Sequence, residues 1–404
     1  MPDIRPHRLD SRTDAAPRGR KRVLFLAQTP PPHHGQSAIA ALVRDVFETD
    51  AGMIVDQRWR GGAQSNTEIG KRTLGKYLGF ARLLIELFIL LIIRRRYDIA
   101  YLGIAPWAHT AFRDAILAGV AKRLANRTWV HVHGTGLPEL IERPGLGGAA
   151  ARILLSGTEL ITVTDDVTRS AGKSDIFARV LPLANMAPDP GNPAVATGKT
   201  MTIACLGNLD PRKGVLDFVD VVSIVARHDD RVRAVIIGGP TAHLDVDGVK
   251  KRAADHGAES RIEVTGWVSE ERKNFMLADA DIFLYLSRHD LAPVALIEAL
   301  AHGCAPIVLD IGGVAEMIGP ELEANVLELR DDTVPMARAR DLIENYLNDP
   351  DALARDKTRA RKRYLNAYSP KIFRTGILCY LAGQDDSDGE ISGSTPSALV
   401  DQTL

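Results

Sequence analysis

The stretch "IFLYLSRHDLAPVALIEALAHGCAPIVLDIGG" (282–313) decides the kind of fold to expect. A short apolar run, "IFLYLS", gives way to a polar turn, then to an apolar segment from about Pro293 to His302, then to a second run, "APIVLDIGG". Short apolar runs bounded by turn signals read as buried strands, and the longer segment between them as a helix. Asp290 and Glu298 stand eight positions apart in this otherwise apolar stretch. Pro293 argues against one helix carrying both, because proline interrupts the helical hydrogen-bond ladder. The segment "PVALIEALAH" is apolar nearly all the way round, which marks a buried helix, so Glu298 is not a solvated surface charge. A buried carboxylate needs hydrogen-bond donors, either from the protein or from the hydroxyls of a ligand. Asp290, just ahead of the helix, reads either as its cap or as a loop acid facing a ligand.

Outward from this unit the alternation repeats. Downstream of residue 200 come "MTIACLG", the helical "VLDFVDVVSIVARH", "VRAVIIGG" and "IEVTGW". Upstream come "RVLFLAQ" (22–28), "DIAYLGI", "TWVHVHG" and "ELITVT", again with helical segments between. Strands alternating with helices imply parallel sheets with crossover helices. At 404 residues the chain exceeds one comfortable core. The Pro- and Gly-rich "NMAPDPGNPAVATGK" (185–199) is the natural linker. The expectation is therefore α/β: two Rossmann-like, doubly wound parallel-sheet domains, 21–188 and 189–366, facing across a cleft lined by the carboxyl ends of their strands.

Three loops can carry chemistry. In "CLGNLDPRKGVLDFV" (205–219) a strand ends at Gly207, Asn208 follows, the loop bears Arg212 and Lys213, and Gly214 opens a helix. Amides at a helix start beside two cations make an anion cradle, and a plain turn with solvated cations is the alternative. The Walker spacing G-x-x-x-x-G-K-[ST] is absent. In "TPPPHHGQSAIA" (29–40) Gly35 precedes a helix and leaves room for a phosphate, or the segment is simply a rigid proline turn. In "VHVHGTG" (130–136) His131 and His133 share one strand face, but no partner ligands accompany them, so no metal is expected. His133 at the strand end reads as a polar contact in the cleft, with a structural histidine as the alternative.

Composition excludes other classes. A formal net charge of −1 argues against a general nucleic-acid binder. Cys205, Cys304 and Cys379 are odd in number and widely spaced, which suits a reducing cytoplasm rather than a disulfide framework. The polar leader (1–20) lacks the apolar core of a signal peptide, and the Gly/Ser-rich tail (384–404) reads as disordered. "KYLGFARLLIELFILLIIRRRYD" (76–98) falls short of the roughly 20 apolar residues a spanning helix needs. It reads as a buried helix, or as a surface helix whose Lys76 and Arg94 to Arg96 meet anionic headgroups.

The run 264–318, "VTGWVSEERKNFMLADADIFLYLSRHDLAPVALIEALAHGCAPIVLDIGGVAEMI", resembles the C-terminal domain of family 4 retaining glycosyltransferases (glycosyl transferases group 1), which have the GT-B fold. The resemblance lies in a first acid, seven residues, a Glu, and then a strand and Gly-Gly loop. "GNLDPRKG" (207–214) is similar to that family's G-x-L-x-x-x-K-G phosphate loop. It spans residues 20–383 and is densest over 200–320. The resemblance implies that Glu298 binds ribose hydroxyls, Asp290 faces the donor sugar, and Lys213, with Gly207, Asn208 and Arg212, holds the diphosphate. It further implies Gly35 against the diphosphate from the other domain, His133 near the transferred sugar, and Pro293 and Val294 at the helix start beside the donor. A C-terminal helix over 367–383 would pack back on the N-terminal domain. Implied too are a nucleoside-diphosphate-sugar donor, a lipid-linked or polysaccharide glycan acceptor, retention of configuration, and no cofactor or required metal. The location would be cytoplasmic, with peripheral membrane contact. Two departures stand out: Asn208 occupies a position where the family commonly has Arg, and Pro293 lacks an N–H that a glycine could offer. A non-catalytic sugar-nucleotide binder and a sugar-nucleotide epimerase are the competing readings.

Overall fold

The computed structural model describes residues 19–31, 35–58, 74–104, 111–134, 136–191, 200–331 and 333–383. Most of the expected leader, the whole tail and Pro32 to His34 of the proline-rich turn lie outside the described residues.

Six parallel strands form the first sheet: β1 (Arg22–Leu26), β2 (Ile54–Gln57), β3 (Tyr97–Ile104), β4 (Ala125–Val132), β5 (Glu159–Thr162) and β6 (Arg179–Pro182), in the order β2-β1-β3-β4-β5-β6. The second repeats the plan with β7 (Met201–Leu206), β8 (Val232–Ile237), β9 (Ile262–Val264), β10 (Ile282–Tyr285), β11 (Ala305–Leu309) and β12 (Val326–Leu327), in the order β12-β11-β10-β7-β8-β9. β10 and β11 are buried along their whole length and β8 at every position but Arg233, which is why they read as near-continuous apolar runs rather than alternating ones. Around the first sheet lie α1 (Gly35–Asp45), α2 (Leu74–Ile92), α3 (Ala111–Leu124), α4 (Leu137–Glu142), α5 (Leu146–Leu155) and α6 (Asp165–Gly172). Around the second lie α7 (Val215–His228), α8 (Val246–Asp255), α9 (Glu270–Ala278), α10 (Val294–Ala301) and α11 (Val314–Ile318). The chain closes with α12 (Met336–Asn348), α13 (Pro350–Ala367) and α14 (Pro370–Ala382).

Each sheet is covered on both faces. In the first, Leu83, Leu87 and Leu90 of α2 join Leu117 and Ala118 of α3 over one face, while α1 covers the other. α14 belongs to that second face: Phe373, Ile377 and Tyr380 pack with Phe25 and Trp129. Arg374 is held by Asp45 and Asp50 at 2.5 Å each, and the Tyr380 hydroxyl donates to the Pro182 carbonyl. The last helix is thereby tied to the first core.

Two readings of the sequence need correction. The helix in the 76–98 stretch runs over Leu74–Ile92, and Tyr97 and Asp98 already belong to β3. It is buried along one face only. Three strands, β2, β6 and β12, carry no sequence signal of the kind used above. They hold four, four and two residues, and β2 and β6 are mostly half-buried, so no apolar run marks them.

Candidate active site

In the second sheet the strand order reverses at β7, which has β8 on one side and β10 on the other. At such a switch point the loops leaving two neighbouring strands part and open a crevice. One is the loop after β7, ending in a single 3-10 turn (Pro211–Lys213) and Gly214 at the start of α7. The other leaves β10 and ends at Pro293 ahead of α10. Gly214 has φ +71°, and a Cβ there would lie 2.0 Å from the Leu286 carbonyl oxygen, so only glycine lets the loops approach this closely. The Arg288 N–H donates to the Arg212 carbonyl at 2.9 Å, and the Arg288 guanidinium grips Asp217 at 2.6 and 3.1 Å.

This zipper brings Lys213 to Asp290: Nζ lies 2.5 Å from Oδ1. The other oxygen, Oδ2, accepts from Ser287 Oγ at 2.6 Å and from the Tyr285 hydroxyl. Burial pushes the Asp290 carboxyl up, but the Lys213 charge and the three hydrogen bonds outweigh it and hold it below its ordinary value. Burial, and then the Asp290 charge, push the Tyr285 phenol well above its own. Asp290 is thus an ionised loop acid and not a cap. The N-cap of α10 is Pro293, which makes no side-chain cap bond.

Glu298 comes from the buried α10, where Leu296, Ile297, Ala299 and Leu300 are fully enclosed. Its donor is a protein group: Lys273 of α9 lies 2.7 Å from Oε1 and also reaches Glu270 at 2.6 Å. Oε2 has no hydrogen-bond partner among the described residues. Burial raises the Glu298 carboxyl and Lys273 only partly offsets this, with Glu270 adding to the rise. For Lys273, burial works downward, but Glu298 and Glu270 together overcome it and raise the ammonium. The result is a buried carboxyl with one oxygen on a lysine and the other open to a hydrogen-bond donor.

The first sheet supplies the facing side. Gly35 opens α1, and a Cβ on it would stand 3.6 Å from Val294 Cγ2, so α1 meets the start of α10 directly. Asn185 Nδ2 donates to the Ala292 carbonyl at 2.8 Å. Gly312 has φ +50°, and a Cβ there would fall 2.4 Å from the Asp290 carbonyl oxygen. A Cβ on Gly313 would strike Thr164 Cγ2 at 2.3 Å. The Glu316 carboxylate accepts from the Asp165 N–H, 3.0 Å from each oxygen. His133 leaves the end of β4 with its ring 4.0 Å from that of His131. His131 is fully buried with Nδ1 2.7 Å from the Tyr101 hydroxyl, and burial, then His133, hold it well below the usual imidazole value and so neutral.

Of the residues singled out from the sequence, Lys213 and Asp290 stand together, and Gly35 meets Val294 beside Pro293. Glu298 answers to Lys273, which the sequence reading missed because "SEERKNF" looks like a solvated charged face. Tyr285 and Ser287 were missed too, although they stand five and three residues ahead of Asp290. Arg212 is engaged elsewhere, by Asp210 at 2.8 Å, and Asn208 is exposed. Neither α7 nor α10 has a side-chain cap bond at its N-terminus, so their first amides stay available to an anion, whereas the Val314 N–H at the start of α11 already donates to the Ile311 carbonyl at 2.9 Å. Among the described residues no set of three His, Cys, Asp or Glu gathers in metal-ligating geometry.

Residues 193–363 match the family Glycosyl transferases group 1, so the second half of the chain carries that glycosyltransferase domain. The fold is the two-domain GT-B arrangement. It superimposes on sucrose-phosphate synthase from Thermosynechococcus elongatus with a TM-score of 0.66 and 13% identity, covering 90% of this chain and 99% of that one. It superimposes on Anabaena HepE in complex with UDP with a TM-score of 0.63 and 15% identity, covering 90% and 100%. In sequence, the chain is 27% identical to a GDP-mannose-dependent alpha-(1-6)-phosphatidylinositol monomannoside mannosyltransferase of Mycobacterium tuberculosis over 61% of its own length and 66% of that protein's. It is 24% identical to the GDP-mannose:cellobiosyl-diphosphopolyprenol alpha-mannosyltransferase of Xanthomonas campestris over 39% and 43%. The chain thus spans less than half the length of that Xanthomonas relative.

Proposed function

We propose that the protein is a retaining glycosyltransferase that moves a sugar from a nucleoside diphosphate to an alcohol of a lipid-linked or polysaccharide glycan. The observation that carries this is the pairing of Lys213 with Asp290 and of Lys273 with Glu298 at the switch point of the second sheet, opposite Gly35. In this reading Glu298 accepts from the ribose hydroxyls with the oxygen Lys273 leaves open. Lys213 exchanges part of its contact with Asp290 for the diphosphate, whose charge is shared with the first amides of α7 and α10. Asp290, held ionised, then faces the sugar, with His133 contributing a polar contact from the first domain.

The step balances without an added reagent. The acceptor oxygen bonds to the anomeric carbon on the face from which the diphosphate leaves, the bond to the phosphate oxygen breaks, and that oxygen takes the acceptor's proton. Lysine and backbone dipoles stabilise the developing charge, and no metal is assigned a part. The likeness to the two GDP-mannose-dependent mannosyltransferases favours a GDP-sugar donor and a lipid-borne acceptor, while the likeness to HepE in complex with UDP keeps UDP-sugars in view. The test is to incubate the protein with UDP-, GDP- and ADP-sugars and polyprenyl-diphosphate or glycan acceptors. Nucleoside diphosphate release is followed, and the anomeric configuration of the product is read by NMR. Transfer and release unchanged in Glu298→Ala would remove that residue from the donor site.

A second reading, a non-catalytic binder of sugar nucleotides, draws on Asn208 being neutral and Arg212 being occupied by Asp210. Nucleoside diphosphate binding by calorimetry with no turnover on any acceptor would select it.

A further inference from the structure

α2 is apolar on both of its faces, and among the described residues only one of them is covered. Leu83, Leu87 and Leu90 pack on the first sheet, while Leu74, Leu78, Ile85, Phe88 and Ile92 are 74, 62, 61, 62 and 65% exposed. These five recur at spacings of four, seven, three and four residues and so form one stripe opposite the buried one. With 19 residues at about 1.5 Å each, the stripe is roughly 28 Å long. On its flank Glu86 pairs with Arg82 at 3.2 Å and with Arg58 at 3.9 Å. No helix among the described residues is long and apolar enough to cross a membrane, so the stripe is a surface and not a span.

The end of α2 is built to display cations. Arg95 N–H donates to the Leu90 carbonyl at 2.9 Å and Arg94 N–H to that of Leu91 at 3.1 Å, with Arg94 at φ +53°. This is the Schellman helix ending, whose left-handed position usually belongs to glycine. An arginine there keeps three cations in a row, Arg94, Arg95 and Arg96, all exposed. Arg96 reaches the Arg123 carbonyl at 2.6 Å, which brings Lys122 and Arg123 of α3 to the same end. Among the described residues none of these five cations is ion-paired with a carboxylate.

We propose that the exposed stripe of α2, together with Arg94, Arg95, Arg96, Lys122 and Arg123, docks the protein on an anionic lipid bilayer. A helix with an apolar face lies in the headgroup region with its cations on the lipid phosphates. A second copy of the chain fits less well, because the ends of α2 offer these cations only Lys76 or more arginines. Crossover helices run opposite to the strands they join, so the arginine end lies away from the cleft and the Leu74 end lies on the cleft's side. The bilayer would then run along the first domain up to the cleft. The surface stands independently of the proposed chemistry.

The test is co-sedimentation with vesicles of neutral phosphatidylcholine and of phosphatidylcholine with phosphatidylglycerol, at low and high salt. Partitioning at least tenfold stronger to the anionic vesicles, weakened by salt, is expected. Arg94→Glu with Arg95→Glu should remove that preference. Ile85→Asp with Ile92→Asp should remove binding to both vesicles, with circular dichroism and thermal melting unchanged because these side chains are mostly exposed. Absence of sedimentation, or equal sedimentation of both double variants and the parent, overturns the proposal. So does a dimer by light scattering that Ile85→Asp dissociates. Nucleotide affinity in the double variants should match the parent, which separates failure of this surface from failure of the donor site.

Discussion

Helices α2 and α10 are both apolar nearly all the way round, and the fold treats them oppositely. α10 lies among β10, β11 and α13, with Leu296 and Leu300 at 0% exposure beside Phe283 and Tyr364. Its one charged side chain is drawn to a lysine at its margin. α2 covers one sheet face and turns an equally apolar face outward. An apolar helix therefore announces only that something must cover it. For α10 the cover comes from the same chain. For α2 the described residues leave one face exposed, and the cover proposed for it is a bilayer.

Core truncation makes the largest test of this difference. Leu300→Ala and Leu87→Ala should each cost about 2–5 kcal/mol in urea unfolding, whereas Ile85→Asp should stay within about 0.5 kcal/mol of the parent. An Ile85→Asp loss as large as that of Leu87→Ala would mean the outward face is packed, and the comparison would fail. Next comes Lys213→Ala, which removes a cation from the α10 side. A fall of about 10²-fold in transfer rate, or about 2.7 kcal/mol, is expected in initial-rate assays. Lys273→Met should weaken nucleoside diphosphate affinity by roughly 1 kcal/mol, about fivefold, by calorimetry, since it leaves Glu298 with burial unopposed.

The smallest effect expected is in pH dependence. Burial, then Arg361 and Lys273, push His302 at the end of α10 down to about 4. The unfolded chain binds that proton first, so this stability is present above about 6.5 and lost as pH falls toward 4. Asp290, held below its ordinary value, adds a loss at lower pH still, as its folded value is crossed. Urea midpoints from pH 7 to 4 should fall for the parent and fall less steeply between 6.5 and 4 for His302→Gln.

Much of the fold was legible because buried parallel strands and their crossover helices write themselves as apolar runs. β10, α10 and β11 came straight from the opening stretch. β2, β6 and β12 did not, because short and mostly half-buried strands need no apolar run. At the candidate site, both loops of the second domain were legible from glycines, cations and acids near strand ends. Their pairing was not: nothing local says that Lys213 meets Asp290, 77 residues away, or that Lys273 meets Glu298. Arg212 stood out as readily as Lys213 in the sequence, yet its neighbour Asp210 claims it.

The sequence by itself determined the alternation of strands and helices, the division into two sheets and the loops that carry ionisable groups, because these follow from local periodicity and turn chemistry. Tertiary structure alone decided which acid found which base, which glycine had to be one, and which of two apolar helices keeps an exposed face among the described residues. Those outcomes depend on what the sheet order places next to each residue, and no local pattern encodes a neighbour that is distant along the chain.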